Sequence, residues 1–210
     1  PGTDLDDNVT ASVGAQSFPF GTRLLFAADE FADLVVGAEI CEDYWVQAPP
    51  STAQVSAGAT VVVNLSASNF TIGKADLRRM LAQALSDRGK CAYAYVAAGP
   101  GESSTDLAFD ADGFICENGA VLQESERFAR HSQHLTVDVD VESLVRERQV
   151  TGSFHDCAAQ VDTDFTRVAF AASENVDAAD LKREVAPHPF LPKGKETLAR
   201  RCWEMFEIQC

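Results

Sequence analysis

Cys41 stands in "EICEDYW", where an apolar run, "LVVGAEI" over 34–40, meets a cysteine, two acids and two aromatics shortly before Pro49-Pro50. A turn between a buried strand and a proline-marked helix start exposes its side chain, and helix-end amides there stabilise a thiolate or an oxyanion. That placement suits a nucleophile. The plainer reading, free cysteine as a small core residue, stays open for Cys41 and fits Cys91, Cys116, Cys157 and Cys202. Papain-like chemistry would add a histidine base. His131, His134, His155 and His188 all lie in polar, loop-like stretches, and nothing in the sequence orients them towards Cys41. His131 and His134 in "HSQH" have ligand-like spacing but no third ligand in a metal motif. "AAGPGESST", 97–105, is glycine-rich, yet it lacks the Lys-Ser/Thr ending of a phosphate loop and the pattern of a dinucleotide turn.

The elements that must carry these residues read as alternating strands and helices. "FPFGTRLLF", 18–26, and 34–40 suit two neighbouring strands joined by a short acidic turn, with Cys41 ending the second. Ser51 is a natural cap and Gly58 a natural stop for a short helix between them. "ATVVVNLS", 59–66, is apolar without alternation, as expected for a strand covered on both faces. Leu77, Met80, Leu81, Ala84 and Leu85 predict a helix over 75–88 with one apolar stripe, ended by Gly89. "CAYAYVAAG", 91–99, follows as a buried strand. Asp112-Gly113 and Asn118-Gly119 punctuate 105–124 as a meander of hairpins. "LTVDVDV", 135–141, alternates like a half-buried strand, and "VESLVRERQV" reads as helix. From 152 to 186 the pattern weakens to a peripheral arm with one alternating run, "DFTRVAFAA". "PHPFLPKGK", 187–195, is a proline-rich break, after which Leu198, Cys202, Met205 and Phe206 mark a helical apolar face. The alternation predicts an α/β layered sheet.

Composition bounds the partners. The 210 residues are 46% hydrophobic, enough for a packed core. A net charge of -15, from 32 acidic and 17 basic residues, repels phosphate backbones and anionic lipids, so nucleic acid and membrane surfaces are poor partners. No apolar run approaches the roughly 18–20 residues of a membrane span, and no charged-then-apolar leader opens the chain, so a cytoplasmic location is expected. The six cysteines, at 41, 91, 116, 157, 202 and 210, form no C-x-x-C pair and predict no disulfide framework. "NVT", "NLS" and "NFT" match a glycosylation triplet, but Asn64 falls inside a buried-looking run, and all three are set aside. The start at Pro1, on the polar "PGTDLDDN", reads as that of a fragment.

"EICEDYW" resembles the nucleophile elbow of the nitrilase (carbon-nitrogen hydrolase) superfamily. "NLSASNFTIGKADLRRMLAQ", "YAYVAAGPGESSTDLAFDADGFICENGAVLQESERF" and "FEIQ" resemble the glutaminase domain of glutamine-dependent NAD synthetases, a likeness that runs from about Phe18 and is weaker between about Gln149 and Ala186. The resemblance implies an incomplete α-β-β-α sandwich, α/β in class, over 1–186, with 187–210 a linker and the start of a helix leading to an absent synthetase domain. It implies a Cys, Glu and Lys hydrolase in which Cys41 attacks the carboxamide of L-glutamine. Glu42 then falls where the family holds the substrate amino group. Ser68 and Lys74 fall where it meets the substrate carboxylate, and Trp45 among its substrate-binding positions. A cation opposite a carboxylate is also what charge pairing requires. Lysine at 74, where arginine is common, puts a forked bidentate grip in doubt. The family's general-base Glu and oxyanion Lys lie upstream of anything matched here, which implies that the isolated chain is inactive. No cofactor is implied within this chain; ATP and magnesium are expected of the synthetase domain, and a homo-oligomer is expected from sheets paired across a subunit interface. The alternatives are a non-catalytic fragment, or another amidase of the superfamily.

Overall fold

Short runs of β-branched, aromatic and alanine residues between Gly, Pro and acidic turns have the makings of strands. They form nine in the computed structural model, which describes residues 9–172, 181–183, 185 and 194–209. Asn8, His188, Cys210, the opening "PGTDLDDN" and most of the proline-rich break lie outside the described residues. β1 (Val9–Val13) and β2 (Gln16–Phe20) pair as an exposed hairpin turning at Gly14, whose φ is 62°. The run expected as one strand over 18–26 is thus split at Gly21–Arg23, where Arg23 donates to the carbonyls of Asp162 and Asp164.

The remaining strands form one seven-stranded sheet among the described residues. These are β3 (Leu24–Ala28), β4 (Val35–Ile40), β5 (Val61–Ser66), β6 (Ala92–Ala97), β7 (Gly113–Glu117), β8 (Ala120–Glu124) and β9 (Thr166–Phe170), in the spatial order β8-β7-β6-β5-β4-β3-β9. β4, β5 and β6 run parallel at its centre; β3 and β7 flank them antiparallel. The alternating run expected in a peripheral arm is β9, which closes the sheet edge parallel to β3. Parallel neighbours need crossovers, and α1 (Pro50–Ser56) and α2 (Lys74–Gly89) supply them.

Both helices lie on one face, where Tyr44, Val55, Val62, Ala82, Tyr93, Tyr95 and Phe114 make the core with Cys91 and Cys116. The other face is largely open. Ile40, Leu65 and Val96 lie opposite one another in register across β4, β5 and β6 and are 65%, 55% and 55% exposed. β5 is therefore covered on one face only, against the expectation from its unbroken apolar run. A seven-stranded mixed sheet with helices on one side is one α-β half of the expected sandwich.

α2 keeps only part of its predicted stripe, with Leu81 and Leu85 packed against the core. Its buried residues are Ala75, Arg78, Ala82 and Ser86, while Leu77 and Met80 stand out 44% and 57% exposed. The helix is rotated by Arg78, whose buried guanidinium pairs with the buried Asp110 and Asp112. Gly89 is the last helical residue; Lys90 takes the left-handed position, with φ 45°. Gly89 sits in a crowded spot, where a Cβ would come within 3.3 Å of Cys91 Sγ and Val55 Cγ1. Asn118-Gly119 makes the β7–β8 turn with positive φ at both residues. Asp112-Gly113 makes no turn, because Asp112 is drawn inward to Arg78 and Gly113 opens β7. Residues 135–140 form no strand. Side chains take their amides instead, Gln123 that of Thr136 and Glu117 that of Asp140. The helix predicted after them is α3 (Val141–Val150), capped by Asp140, and α4 (Gly152–Ala158) follows. α5 (Lys195–Gln209) exposes Leu198, Met205 and Phe206. No helix among the described residues is long and apolar enough to cross a membrane.

Candidate active site

Cys41 opens a 3-10 turn, Cys41–Tyr44, directly after β4 and is half-buried. Its φ of 51° is left-handed, a conformation that costs a non-glycine residue of order 1–3 kcal/mol and persists only where the surroundings hold it. Here the Ile40 amide donates to Asp43 Oδ2 at 2.9 Å and the Trp45 amide to the Glu42 carbonyl at 2.9 Å, closing the turn on itself. Tyr44 is buried beneath it; its hydroxyl donates to the Arg78 carbonyl, and its ring meets those of Trp45, Tyr93 and Tyr95. The turn is therefore bolted to α2 and to β6 through one aromatic.

Lys74, the first residue of α2, reaches back over this turn. Its Nζ donates to the Asn69 carbonyl at 2.8 Å and sits 5.0 Å from the centre of the Trp45 ring. Partial burial, and then the positive charge of Arg78 one turn along, pull the ammonium below the ordinary lysine value of 10.5, while Cys41 and Glu42 act in the opposite sense. The Glu42 carboxylate is exposed, with no hydrogen-bond partner among the described residues. Ser68 is buried two residues beyond β5, whose end packs against the Cys41 turn. Cys41, Trp45 and Lys74 are thus gathered at one spot, with Glu42 on its open side. No hydrogen bond among the described residues joins Ser68 to them. A thiol beside an ammonium and an aromatic wall can attack a small substrate carrying a carboxylate.

The other cysteines are of two kinds. Cys91 and Cys116 are fully buried, and desolvation pushes their thiols up to about 12 and about 11. Cys157 and Cys202 are exposed, contrary to their expected core role, because α4 and α5 turn those positions outward. His131, His134 and His155 are exposed and none bonds to Cys41. No group of three His, Cys, Asp or Glu among the described residues is placed to hold a metal. Two cavities lie away from the turn: about 570 Å³ beside Gly99, Pro100 and Arg130, and about 540 Å³ on the open face over Val63, Leu65 and Val96.

Sequence reasoning missed Glu39. It is 1% exposed and accepts from the Tyr93 hydroxyl, from Ser51 N–H at 3.1 Å and from Asn64 Nδ2 at 3.5 Å. The bond from its amide to Glu39 also explains why Ser51 caps nothing: Pro49 is the cap residue and Pro50 the first of α1. A signal existed, since 35, 37 and 39 share one face of a strand and an acid there faces the core.

No family model matches the chain. It is 44% identical over 203 residues to the glutamine-dependent NAD(+) synthetase of Mycobacterium tuberculosis, covering 95% of this chain and 30% of that protein. The Mycobacterium leprae relative is 44% identical over 207 residues, with 97% and 30% covered. The human one is 26% identical over 192 residues, with 90% and 26% covered. A solved glutamine-dependent NAD(+) synthetase from Cytophaga hutchinsonii overlays 58% of this chain on 18% of its own at a TM-score of 0.47 and 30% identity. The chain spans about 30% of the length of the curated relatives it matches first. Along nearly all of its own length, it is related to one stretch of the glutamine-dependent NAD(+) synthetases.

Proposed function

We propose that this chain is part of a glutaminase whose nucleophile is Cys41 and whose ammonia amidates nicotinate adenine dinucleotide to NAD in a synthetase domain of the same protein. The observation that carries the reading is the strained Cys41 turn at the end of a central parallel strand, with Lys74 and Trp45 beside it.

The chemistry of this reading starts from Cys41. The Cys41 thiolate attacks the side-chain carbonyl carbon of glutamine, a C–S bond forms, and collapse of the tetrahedral intermediate breaks the C–N bond. The nitrogen takes a proton and leaves as ammonia. Water then attacks the thioester, releasing glutamate and returning the thiol. Lys74 pairs with the substrate α-carboxylate, Glu42 with its ammonium and Ser68 with a carboxylate oxygen, while Trp45 walls the site. The base that takes the thiol proton and the cation that supports the oxyanion are assigned to residues outside this chain, which leaves the isolated chain inactive. ATP and magnesium belong to the synthetase domain. Domain bounds of 1–186 and 187–210 fit this reading, with α5 leading onward. The open apolar row of Ile40, Leu65 and Val96 supports a second sheet and a homo-oligomer in the whole protein.

The test is Cys41→Ala in the full-length protein. Glutamine-dependent NAD formation is abolished and ammonia-dependent formation persists, since the two half-reactions use separate sites. Loss of both in a folded variant contradicts the division.

A further inference from the structure

Glu39 is a buried acid that the glutaminase chemistry leaves without a task. No lysine or arginine pairs with it among the described residues, so its carboxylate is satisfied by neutral donors alone. Those donors come from three places: Tyr93 on β6, Asn64 on β5, and the Ser51 amide in the first turn of α1. One carboxylate on β4 therefore ties the three central strands to the helix that follows. It does so two residues before Cys41, and the segment between Glu39 and Ser51 is the one that carries Cys41, Glu42 and Trp45. A second path runs through side chains. The Tyr93 ring lies 5.5 Å from that of Tyr44, and Tyr44 lies edge-on to Trp45 at 5.3 Å. Both ends of the reactive segment and its buried middle are thus referred to the same acid.

We propose that Glu39 is a positioning residue for Cys41: bound by Tyr93, Asn64 and the Ser51 amide, it fixes the ends of the 40–50 segment so that Cys41 keeps its left-handed conformation beside Lys74. The inference rests on Cys41 being the nucleophile. Geometry of this kind governs rate rather than affinity, because a displacement of about 1 Å at a reacting atom can cost on the order of a hundredfold in turnover. Glu39→Gln keeps the shape of the side chain but turns an amide N–H₂ towards one of the donors that the carboxylate now satisfies. Tyr93→Phe removes one donor and leaves the carboxylate.

The experiment compares wild type, Glu39→Gln and Tyr93→Phe in the full-length protein. Three quantities are read: glutamine kcat and KM per folded molecule, thermal stability, and the rate at which iodoacetamide alkylates Cys41, followed by peptide mass spectrometry. Glu39→Gln lowers kcat by roughly ten- to a hundredfold with KM within about twofold, and Tyr93→Phe lowers it less. Alkylation of Cys41 slows in both, while that of the exposed Cys157 and Cys202 is unchanged. A lower melting temperature with wild-type kcat and wild-type Cys41 alkylation overturns the proposal, leaving Glu39 a purely structural residue. If Glu39→Gln does not fold, Tyr93→Phe decides by the same readouts. If the wild type hydrolyses no glutamine, the glutaminase reading fails on its own, and the iodoacetamide ratio still decides whether Glu39 positions Cys41.

Discussion

Cys41 and Cys91 each sit at an end of a central strand, Cys41 just after β4 and Cys91 just before β6, yet they meet opposite environments. Cys91 is packed under Val55 and Gly89 with no exposed surface, and burial holds its thiol neutral to about 12. Cys41 is lifted out by a left-handed turn and lies near a half-buried ammonium. In parallel α/β sheets, sites gather outside the carboxyl ends of the strands, where loops are free to shape them. The end of the strand, rather than the residue type, separates the thiol proposed as nucleophile from the buried one.

The comparison breaks most completely at Cys41 itself. Cys41→Ala takes glutamine hydrolysis to background, whereas Cys91→Ala leaves kcat unchanged; a steady-state glutamate assay on both variants separates them. Next in size is Lys74→Met, which removes the cation proposed to face the substrate carboxylate. KM for glutamine rises by roughly thirtyfold, about 2 kcal/mol, with kcat little altered. Equal losses in kcat and kcat/KM would move Lys74 from binding into the transition state. Cys91→Ala costs stability instead, about 1–2 kcal/mol by urea unfolding.

Two smaller effects depend on pH. In the unfolded chain the Cys91 thiol ionises near its ordinary 9.0, in the folded one only at about 12. Between those values the unfolded state binds fewer protons, so stability falls as pH rises through that window. Cys91→Ala flattens that part of the curve in urea titrations from pH 9 upward. In its proposed role Lys74 binds a carboxylate only when protonated, and its value is lowered, so glutamine affinity is expected to weaken on the alkaline side below 10.5. Lys74→Arg removes that limb of the KM profile, since a guanidinium stays charged. An unchanged limb would assign it to another group.

Local patterns made much of the fold legible. The unbroken apolar runs of β5 and β6, the capped α3 and the Asn118-Gly119 hairpin follow from short-range chemistry. What was hidden depends on distant partners. The rotation of α2 is set by acids 32 and 34 residues away from Arg78, at Asp110 and Asp112, and a stripe count over 77–85 contains no trace of them. Residues 135–140 alternate as a strand does, but side chains of Gln123 and Glu117 claim their amides first. At the site, the sequence pointed to Cys41 by position and to Glu42, Trp45, Ser68 and Lys74 by resemblance. Its support was invisible because Glu39, Asn64 and Tyr93 come from three strands spread over 54 positions.

The account turns on Cys41 being the reactive thiol of a glutamine site. The direct test is to treat the full-length protein with an electrophilic glutamine analogue and map the adduct by peptide mass spectrometry. Selective modification of Cys41, blocked by excess glutamine, with Cys91 and Cys116 untouched, is the result expected. Modification shared evenly with the exposed Cys157 and Cys202, or labelling of Cys41 that glutamine does not block, would contradict it.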